Sequence, residues 1–449
     1  MTATATLNKQ RIAGSLCGMM VGDALAVPGH WFYSPAKLKE DYGEEIMGMM
    51  DPKPTHAESM IQGMSYHGSI DILHDKAIYY EGSCAITTKT QSQQPATATT
   101  GTTEEDDIQA RRDDHGNFVG YKANERVHYH QSLSKGMNTV NVCIARLLMR
   151  YIGKKNQGKQ DGYNPDEFLE EFQTYMTTAP NKDDTSQITS HNDTYLDIYL
   201  RHFFTQAGKN DGLRLRDCAM SQRDQWSIGS LDGVVMSIPI IAAYAKEPES
   251  MVLGRVVEHH MLTHRSITVT MVCSVLVPLL LELYHGADLA ETLERAIAKM
   301  RPPKCTGREQ RDSYVHHQGP GNIPKHEKWL QHMTTTDEDF LELLKGFVSS
   351  SSTDDQDLAG WGDRPNSRFS TACYCEQAFP IVLYLCYKYK DDPRKALAQN
   401  VMLGGHSTAR GAIVGAILGA AHPEGFPWVE DLAAYPFIQT EIHNLIKTV

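Results

Sequence analysis

The stretch LGGHSTARGAIVGAILGAA, residues Leu403–Ala421, decides the fold of this chain. After a polar opening it is almost purely apolar, and Gly411, Gly415 and Gly419 recur every four residues. Positions four apart lie on one face of a helix. A glycine inside a helix costs roughly 0.8–1 kcal/mol relative to alanine, so three on one face indicate a packing requirement. A face without Cβ atoms lets another backbone approach closely.

The same spacing recurs near the N-terminus. In IAGSLCGMMVGDALAVPG, residues 12–29, Gly14, Gly18 and Gly22 are also four apart. The pattern predicts that both glycine helices are central and deeply buried. It also makes them candidates to pack on each other.

Polar residues stand where the C-terminal glycine helix begins. His406, Ser407 and Thr408 lie at a helix N-terminus, where free backbone N–H groups and the helix dipole favour an anion. Arg410 follows them and suits the anionic end of a ligand. A capping role for Ser407 or Thr408 explains the same residues, so both interpretations stay open.

The composition argues against several classes of protein. The chain has 449 residues and a net charge of −12 without a basic block, which argues against a general nucleic-acid-binding protein. The first ten residues lack the apolar core of a signal peptide. The longest apolar run, Ile267–Leu281, is shorter than the roughly 20 residues of a membrane helix, so we interpret it as a core helix. Nine scattered cysteines indicate a reducing, cytoplasmic location.

The remaining periodic segments favour helices, and no strand-like run of convincing length occurs. Leu133–Tyr151 has one apolar face, and another helix is predicted to open within Ser190–Tyr195 and to run to Phe204. Residues 51–127 have weak periodicity and are interpreted as an irregular insertion. Because the segments interleave without a clean linker, we predict an all-α fold with one large domain over residues 9–449.

The cluster Ser190–Tyr195 has the composition of a catalytic site. His191, Asn192 and Asp193 offer an imidazole, an amide and a carboxylate, which suit general acid–base chemistry. A helix cap explains the same cluster.

Two other clusters also have both a structural and a functional interpretation. The aromatic cluster His30-Trp31-Phe32-Tyr33 is either part of the core or one wall of a ligand pocket. His260 and His264 are four apart, a spacing at which two histidines can share a metal ion. The HExxH order is missing, so no metal site is predicted here.

Four motifs, in order along the chain, resemble those of the ADP-ribosylglycohydrolase family. They are Gly18–Leu25, similar to the opening motif; Asp232–Met236, similar to an Asn-Gly-x-x-Met segment; Thr263-His264, similar to a Thr-His pair; and Leu403–Ala421, similar to the C-terminal motif. The resemblance runs from about residue 9 to residue 447. It implies the orthogonal helical domain of that family and hydrolysis of an ADP-ribosyl bond.

The metal ligands of the family are the main departure. The resemblance implies two Mg²⁺ ions, held by a Thr-Asp-Asp-Thr sequence that opens a helix and by a C-terminal Asp-Thr-Asp-Thr sequence. In this chain those positions fall on Gly136–Thr139 and His406–Ala409, which contain no carboxylate. Because magnesium prefers hard oxygen donors, we predict no metal cofactor, and Mg²⁺ only if its ligands lie at other positions.

One branch of the family is closer in these segments. Lys135–Asn141, Ser190–Tyr195 and Gly404–Gly411 resemble the J1-crystallin and selenoprotein J group, whose lens members are thought to be structural. The resemblance implies two alternatives. The protein is either a glycohydrolase without the dimagnesium centre or a non-catalytic, crystallin-like structural or ligand-binding member.

For the enzyme alternative, we predict that Asp193 and His191 are catalytic. They would cleave an N- or O-glycosidic bond of an ADP-ribosyl or other ribosyl compound. The partner is then a small ribosyl or ADP-ribose-like ligand, not a nucleic acid or a membrane. The residues predicted to bind it are Asn138, Thr139, Asn141, Asn192, His406, Ser407, Thr408, Arg410, Asp232 and Trp31.

Overall fold

The structure is a computed structural model that describes most of the chain. The described residues are 7–59, 111–112, 118–120, 128–156, 162–178, 181, 183–193, 195–208, 212–223, 226–301, 339–349, 354–360, 367–447 and 449. Most of the predicted insertion at 51–127 lies outside them, so its extent stays a prediction.

Helices dominate the described residues, which confirms the predicted all-α class. The first seven are α1 (Lys9–Ala26), α2 (Pro35–Tyr42), α3 (Val140–Lys155), α4 (Pro165–Thr177), α5 (Ile198–Ala207), α6 (Asp232–Val235) and α7 (Ile238–Ala243). The others are α8 (Glu249–His260), α9 (Ile267–Tyr284), α10 (Leu289–Lys299), α11 (Phe340–Ser349), α12 (Asp355–Leu358), α13 (Cys375–Lys388), α14 (Pro393–Met402), α15 (Ser407–Ala421) and α16 (Tyr435–Lys447).

Three pairs of very short strands accompany the helices. They are antiparallel β1 (Arg111–Arg112) and β2 (Phe118–Gly120), parallel β3 (Met220–Ser221) and β4 (His264–Arg265), and parallel β5 (Ala359–Gly360) and β6 (Phe369–Ser370). Two or three residues are too few to produce a detectable alternation of apolar and polar side chains. The sequence therefore did not predict these strands.

The two glycine helices pack on each other, as their spacing suggested. Each glycine of α1 faces one of α15 in antiparallel order: Gly14 with Gly419, Gly18 with Gly415, and Gly22 with Gly411. A Cβ atom on the three α1 glycines would lie 2.2, 2.0 and 1.9 Å from the facing carbonyl oxygens. The two backbones are therefore in direct contact, and the helices are held at a separation that no larger residue permits.

The predicted apolar core helix forms as α9. It is long and apolar enough to cross a membrane by length and composition, yet 72% of it is buried inside the protein. The Ser266 side chain caps its start by accepting the Val269 N–H. α9 packs against α8, α10 and α13. This burial agrees with a helix of the protein core, because a buried core helix can be as long and as apolar as a membrane helix.

Helix α3 begins seven residues later than the sequence predicted. Gly136 has a φ of +78°, which interrupts a helix, and a Cβ there would lie 2.3 Å from the Asp431 carbonyl oxygen. The Asn138 N–H donates to Gln187 Oε1 rather than to a helical carbonyl. Long-range contacts therefore hold this segment outside the helix, and Val140 becomes its first residue.

Helix α5 also begins later than predicted, at Ile198 rather than within Ser190–Tyr195. The described residues of that segment are not helical. Asp193 explains this difference because its carboxylate accepts the Val140 N–H of another helix. Its other oxygen accepts the Tyr195 N–H, so the carboxylate holds its own segment against the start of α3.

Candidate functional site

The packing of the glycine helices brings two distant segments together. Gly22 faces Gly411, so Asp23 and the residues that follow α1 lie beside the N-terminus of α15. The Trp31 N–H donates to the Gly405 carbonyl at 2.8 Å, which ties the two segments to each other. The first turn of α3 completes the site, and four buried aspartates surround it.

Asp23 positions the start of α3. Its carboxylate accepts the Thr139 N–H at 2.8 Å, the Thr139 hydroxyl at 2.7 Å and Asn138 Nδ2 at 3.0 Å. Burial raises the pKa of Asp23 to about 6, although these hydrogen bonds oppose the shift. Asn138 and Thr139, which the sequence predicted to bind a ligand, are thus both hydrogen-bonded to Asp23.

Asp193 lies at the same helix start. Its Oδ2 accepts the Val140 N–H at 2.9 Å, and its Oδ1 accepts His130 Nδ1 at 2.7 Å and the Tyr195 N–H at 3.0 Å. The helix dipole favours a carboxylate in this position. The ring of His191, the other predicted catalytic residue, lies 6.4 Å from the ring of Tyr175. The imidazole that pairs with Asp193 is therefore His130.

Asn141 links the other two aspartates. Its Nδ2 donates to Asp197 Oδ2 and to Asp232 Oδ1, each at 2.8 Å, and its Oδ1 accepts the Tyr199 hydroxyl. Asp232 Oδ2 also accepts the Ser230 hydroxyl at 2.8 Å. Asn141 and Asp232 were predicted site residues, and the structure brings them together.

A chain of hydrogen bonds connects two of these aspartates through three buried histidines. Asp193 Oδ1 contacts His130 Nδ1 at 2.7 Å, and His130 Nε2 contacts His30 Nδ1 at 2.6 Å. His30 Nε2 then contacts His406 Nδ1 at 2.9 Å, and His406 Nε2 contacts Asp232 Oδ1 at 2.9 Å. Every side chain in this histidine chain is at most 1% exposed.

The geometry of the histidine chain fixes how many protons it holds. Its four contacts need one proton each, whereas three neutral imidazoles carry only three. A contact without a proton would place two lone pairs against each other in a buried site, which is costly. With both carboxylates ionised, the chain therefore carries one additional proton and one imidazolium charge.

The electrostatics assign that charge to the Asp232 end. Burial alone would lower the pKa of His406, but the Asp232 carboxylate outweighs burial and raises it. Burial likewise opposes ionisation of Asp232, and His406 brings the pKa of Asp232 below its usual value. Burial, followed by the neighbouring imidazoles, holds the pKa of His30 well below its usual value. The ground state is thus an Asp232–imidazolium pair followed by neutral His30.

Three aromatic side chains, Trp31, Tyr129 and Tyr195, form a cover over the histidine chain. The Trp31 ring lies 4.7 Å from the ring of His30 and 4.8 Å from that of His406. Its φ is +68°, a conformation that costs a bulky residue roughly 1–3 kcal/mol. No described residue accepts from its buried indole Nε1. Trp31 thus combines a strained backbone with an indole N–H that lacks an acceptor, and it lies directly over the site.

Arg410 makes structural contacts in this state of the protein. Its Nε donates to Asn400 Oδ1 at 2.7 Å, and its Nη2 donates to the Asn400 and Gly404 carbonyls at 2.9 and 2.7 Å. Burial lowers the pKa of Arg410 to about 9. The guanidinium holds the loop before α15, so its predicted contact with an anionic ligand requires these bonds to be exchanged.

The other predicted ligand-binding residues also contact their surroundings. Asn192 Nδ2 donates to a backbone carbonyl at 3.0 Å, and Ser407 Oγ donates to the Ala26 carbonyl at 3.2 Å. The Thr408 hydroxyl lies 3.3 Å from His30 Nε2 and so touches the histidine chain. Of these three, Thr408 is the residue placed directly at the buried polar centre.

His130 and Asp197 were not predicted as site residues, and His30 was predicted only as part of the aromatic cluster. Their contacts join residues 56 to 376 positions apart in the chain, so no local spacing reveals them. One weak signal was present: His30 follows the end of a glycine helix, and His130 closes His128-Tyr129-His130 directly before the motif at Lys135. Histidines at two motif borders were available as candidates for one site.

Comparisons with known proteins assign the chain to a family. The family model for ADP-ribosylglycohydrolase matches residues 4–449. No curated protein matches the sequence. A solved structure described as an ADP-ribosylglycohydrolase-related protein complex aligns over 98% of each chain, at 12% identity and a TM-score of 0.46. On the family match, this chain belongs to the ADP-ribosylglycohydrolase family.

The family typically uses Mg²⁺, but the residues at its ligand positions do not fit that ion. His406 contacts His30 and Asp232 through its two ring nitrogens. The Thr139 hydroxyl donates to Asp23, and Asn138 directs Nδ2, a donor, into the same contact. Within the described ranges, no group of three or more His, Cys, Asp or Glu side chains is arranged to hold a metal ion. The side chains at these positions direct N–H and O–H groups into the site, whereas magnesium needs oxygen atoms with free lone pairs.

Proposed function

We propose that this protein is a metal-independent glycohydrolase that cleaves an N- or O-glycosidic bond of an ADP-ribosyl or other ribosyl compound. Family membership supports the class of reaction. The observation that carries the metal-independent part is the histidine chain between Asp193 and Asp232. It includes His406 and begins beside Thr139, the two positions on which the family's ligand motifs fall.

The histidine chain supplies what this hydrolysis needs. Cleavage of a glycosidic bond passes through an oxocarbenium-like transition state, which requires a proton donor and a nearby negative charge. The additional proton moves from the Asp232 end to the Asp193 end by one short shift in each N···N contact. Two carboxylates that share a movable proton thus take the place of two metal-bound carboxylate sites.

The aromatic cover supports a nucleotide-like ligand. Flat aromatic rings such as those of Trp31 and Tyr195 stack on a base, and the Trp31 indole N–H offers a hydrogen bond to an incoming acceptor. Displacement of Trp31 from its strained conformation exposes His30 and His406, which lie against it. The proposed partner is therefore a small ribosyl compound with an attached base or phosphate.

The histidine chain can be tested by interrupting it at its middle residue. His30→Gln removes the imidazole that links the two halves, so hydrolysis of ADP-ribosylated peptides in EDTA should fall by roughly 10²- to 10⁴-fold. The matched control is His56→Gln, a buried imidazole outside the histidine chain whose hydrogen bonds join the His30 carbonyl and the Glu58 N–H. It should retain activity. Product release is followed by chromatography of the freed ADP-ribose.

Two outcomes of that assay would contradict the proposal. Wild-type turnover that disappears in EDTA and returns with Mg²⁺ would show that a metal centre does the chemistry. Equal activity of His30→Gln and His56→Gln would show that the histidine chain has no part in it.

A second function, ligand binding or a structural role without turnover, rests on a different observation. Asn138, Thr139 and Arg410 are all engaged in internal hydrogen bonds that stabilise the fold. This arrangement is what a crystallin-like member of the family would need, and the resemblance of Lys135–Asn141 to that branch supports it. Absence of turnover on every ribosyl substrate, with wild-type stability dependent on these bonds, would favour this function over the first.

A further inference from the structure

Asp197 and Asp232 form a pair of carboxyl groups whose environments differ. Both accept from the same nitrogen, Asn141 Nδ2, at 2.8 Å, so Asp197 Oδ2 and Asp232 Oδ1 lie at most about 5.6 Å from each other. Carboxyl groups that act together in retaining glycosidases lie about 5–5.5 Å apart, whereas inverting enzymes need a larger separation. The spacing of this pair is therefore shorter than the inverting geometry allows.

The two carboxyl groups also differ in their hydrogen bonds. Asp232 accepts from His406, Asn141 and Ser230, which hold it ionised. Asp197 accepts from Asn141, and the Tyr195 side chain also hydrogen-bonds to it. Fewer donors and a neighbouring negative charge favour a protonated Asp197. Burial and then Asp232 raise the pKa of Asp197 to about 6, in agreement with its contacts.

Asp197 is also the least buried of the four aspartates. It is 8% exposed, whereas Asp23, Asp193 and Asp232 are 0 or 1% exposed. It lies at the N-terminus of α5 without a side-chain capping bond, so its proton is not committed to the helix. Its neighbour Tyr195 belongs to the aromatic cover.

We infer that Asp197 is the catalytic acid that protonates the leaving group, with ionised Asp232 as its partner. This inference rests on the glycohydrolase function proposed above. As the bond between the anomeric carbon and the leaving atom breaks, the Asp197 carboxyl proton moves to that atom. Water then bonds to the anomeric carbon and gives a proton to the Asp197 carboxylate, which restores it. Asp232 stabilises the positive charge that develops on the sugar.

The inferred step has a stereochemical consequence. The leaving group departs from the face of the sugar that meets Asp197, and the water that is deprotonated by Asp197 enters from the same face. The freshly formed product should therefore retain the anomeric configuration of the substrate. Proton NMR of the product, recorded before it mutarotates, distinguishes retention from inversion.

Asp197→Asn tests the inference because an amide imitates a neutral carboxylic acid in shape and cannot donate the same proton. Hydrolysis of a riboside with a poor leaving group should fall by roughly 10²- to 10⁴-fold in kcat. A nitrophenyl riboside, whose leaving group needs no proton, should be cleaved at close to the wild-type rate. Asp197→Ala should show the same difference between the two substrates. Asp217→Asn, at a solvent-exposed ion pair, is the control and should leave both rates unchanged.

A measurement without substrate accompanies this assay. The groups that face Asp197 are Asp232, His406, Tyr195 and Cys373. Above pH 6 the wild-type protein holds an ionised Asp197 among them, whereas Asp197→Asn does not. The variant should therefore have a higher Tm than the wild type at pH 8, and this difference should shrink steadily as the pH falls from 6 towards 4.

The outcomes separate the inference from the proposed function. An active wild type whose Asp197→Asn variant loses both substrates equally, or neither, would overturn the acid role and leave the glycohydrolase function standing. Inversion of configuration would overturn the acid role in the same way. A wild type inactive on both ribosides would overturn the proposed function and the inference together.

Discussion

Lowering the pH from 6.5 to 4.5 should unfold this protein. Several buried histidines are neutral in the folded state and gain a proton when they are released into water. Burial is the main cause that lowers their pKa, to about 4 for one residue and about 3 for two others. The histidines with a lowered pKa are His30, His56, His128, His259, His260 and His264.

The direction of this effect follows from the proton balance. Between pH 6 and about 4.5, the unfolded chain binds protons at these six histidines, whose ordinary pKa is 6.5, and the folded protein binds few of them. Asp23 and Asp197 act in the opposite sense because their pKa is raised to about 6 by burial. Even without His260, unfolding therefore takes up about three protons, so the unfolding free energy falls by roughly 4 kcal/mol for each unit by which the pH falls.

Urea unfolding, followed by circular dichroism at half-unit steps of pH, measures this slope directly. A slope of that size exhausts the roughly 5–15 kcal/mol that stabilises an ordinary protein within a few pH units. His56→Gln provides the control, since it removes one such histidine and should lower the slope by about 1.4 kcal/mol per pH unit. A stability that stays level between pH 7 and pH 4.5 would contradict the account of buried neutral imidazoles.

Gly18→Ala should destabilise the protein by about 4 kcal/mol or more, a value at the extreme of single substitutions. The added Cβ would lie 2.0 Å from the Gly415 carbonyl oxygen, and both partners are backbone in the centres of long helices. Neither can move alone, so α1 and α15 must separate along the whole row of glycines. Separation would also strain the Trp31 N–H contact with the Gly405 carbonyl and disturb the site.

The matched control for Gly18→Ala is Gly254→Ala in the exposed part of α8. A Cβ at Gly254 meets nothing within 4 Å, so the substitution adds only helix propensity and should stabilise by roughly 0.8–1 kcal/mol. Chemical denaturation of both variants at pH 7.5 gives the two free energies. If both alanines shift stability in the same direction, close backbone packing is not the reason for the glycine spacing.

The sequence predicted the central helix pair well because a repeated local pattern, glycines four residues apart, encodes it. Glycines four apart in Leu403–Ala421 and in α1 require a close helix pair, and the structure has one. Helix starts were predicted less well. The starts of α3 and α5 depend on Asp193, which caps α3 from a distant position in the chain. No rule based on neighbouring residues identifies a cap that comes from another segment.

The residues of the candidate site were likewise predicted only in part. Asn141, Asp193, Asp232 and His406 stood in recognisable motifs, and the structure places them around one helix start. His30 and His130, which complete the connection between the aspartates, lie outside those motifs. Their partners follow only from the packing of the folded chain. The number of protons that the histidine chain holds is even harder to predict from the sequence. It depends on N···N distances that only the folded arrangement defines.

The most direct measurement of the central claim is isothermal titration of the purified protein with ADP-ribose, in EDTA and in millimolar Mg²⁺. A site built from the histidine chain should bind ADP-ribose with the same affinity in both buffers, and His30→Gln should weaken binding in both. Binding that requires magnesium would contradict the account, because the ligand positions would then hold a metal that their hydrogen bonds do not fit. The absence of binding in either buffer would equally contradict a ribosyl-binding site at this centre.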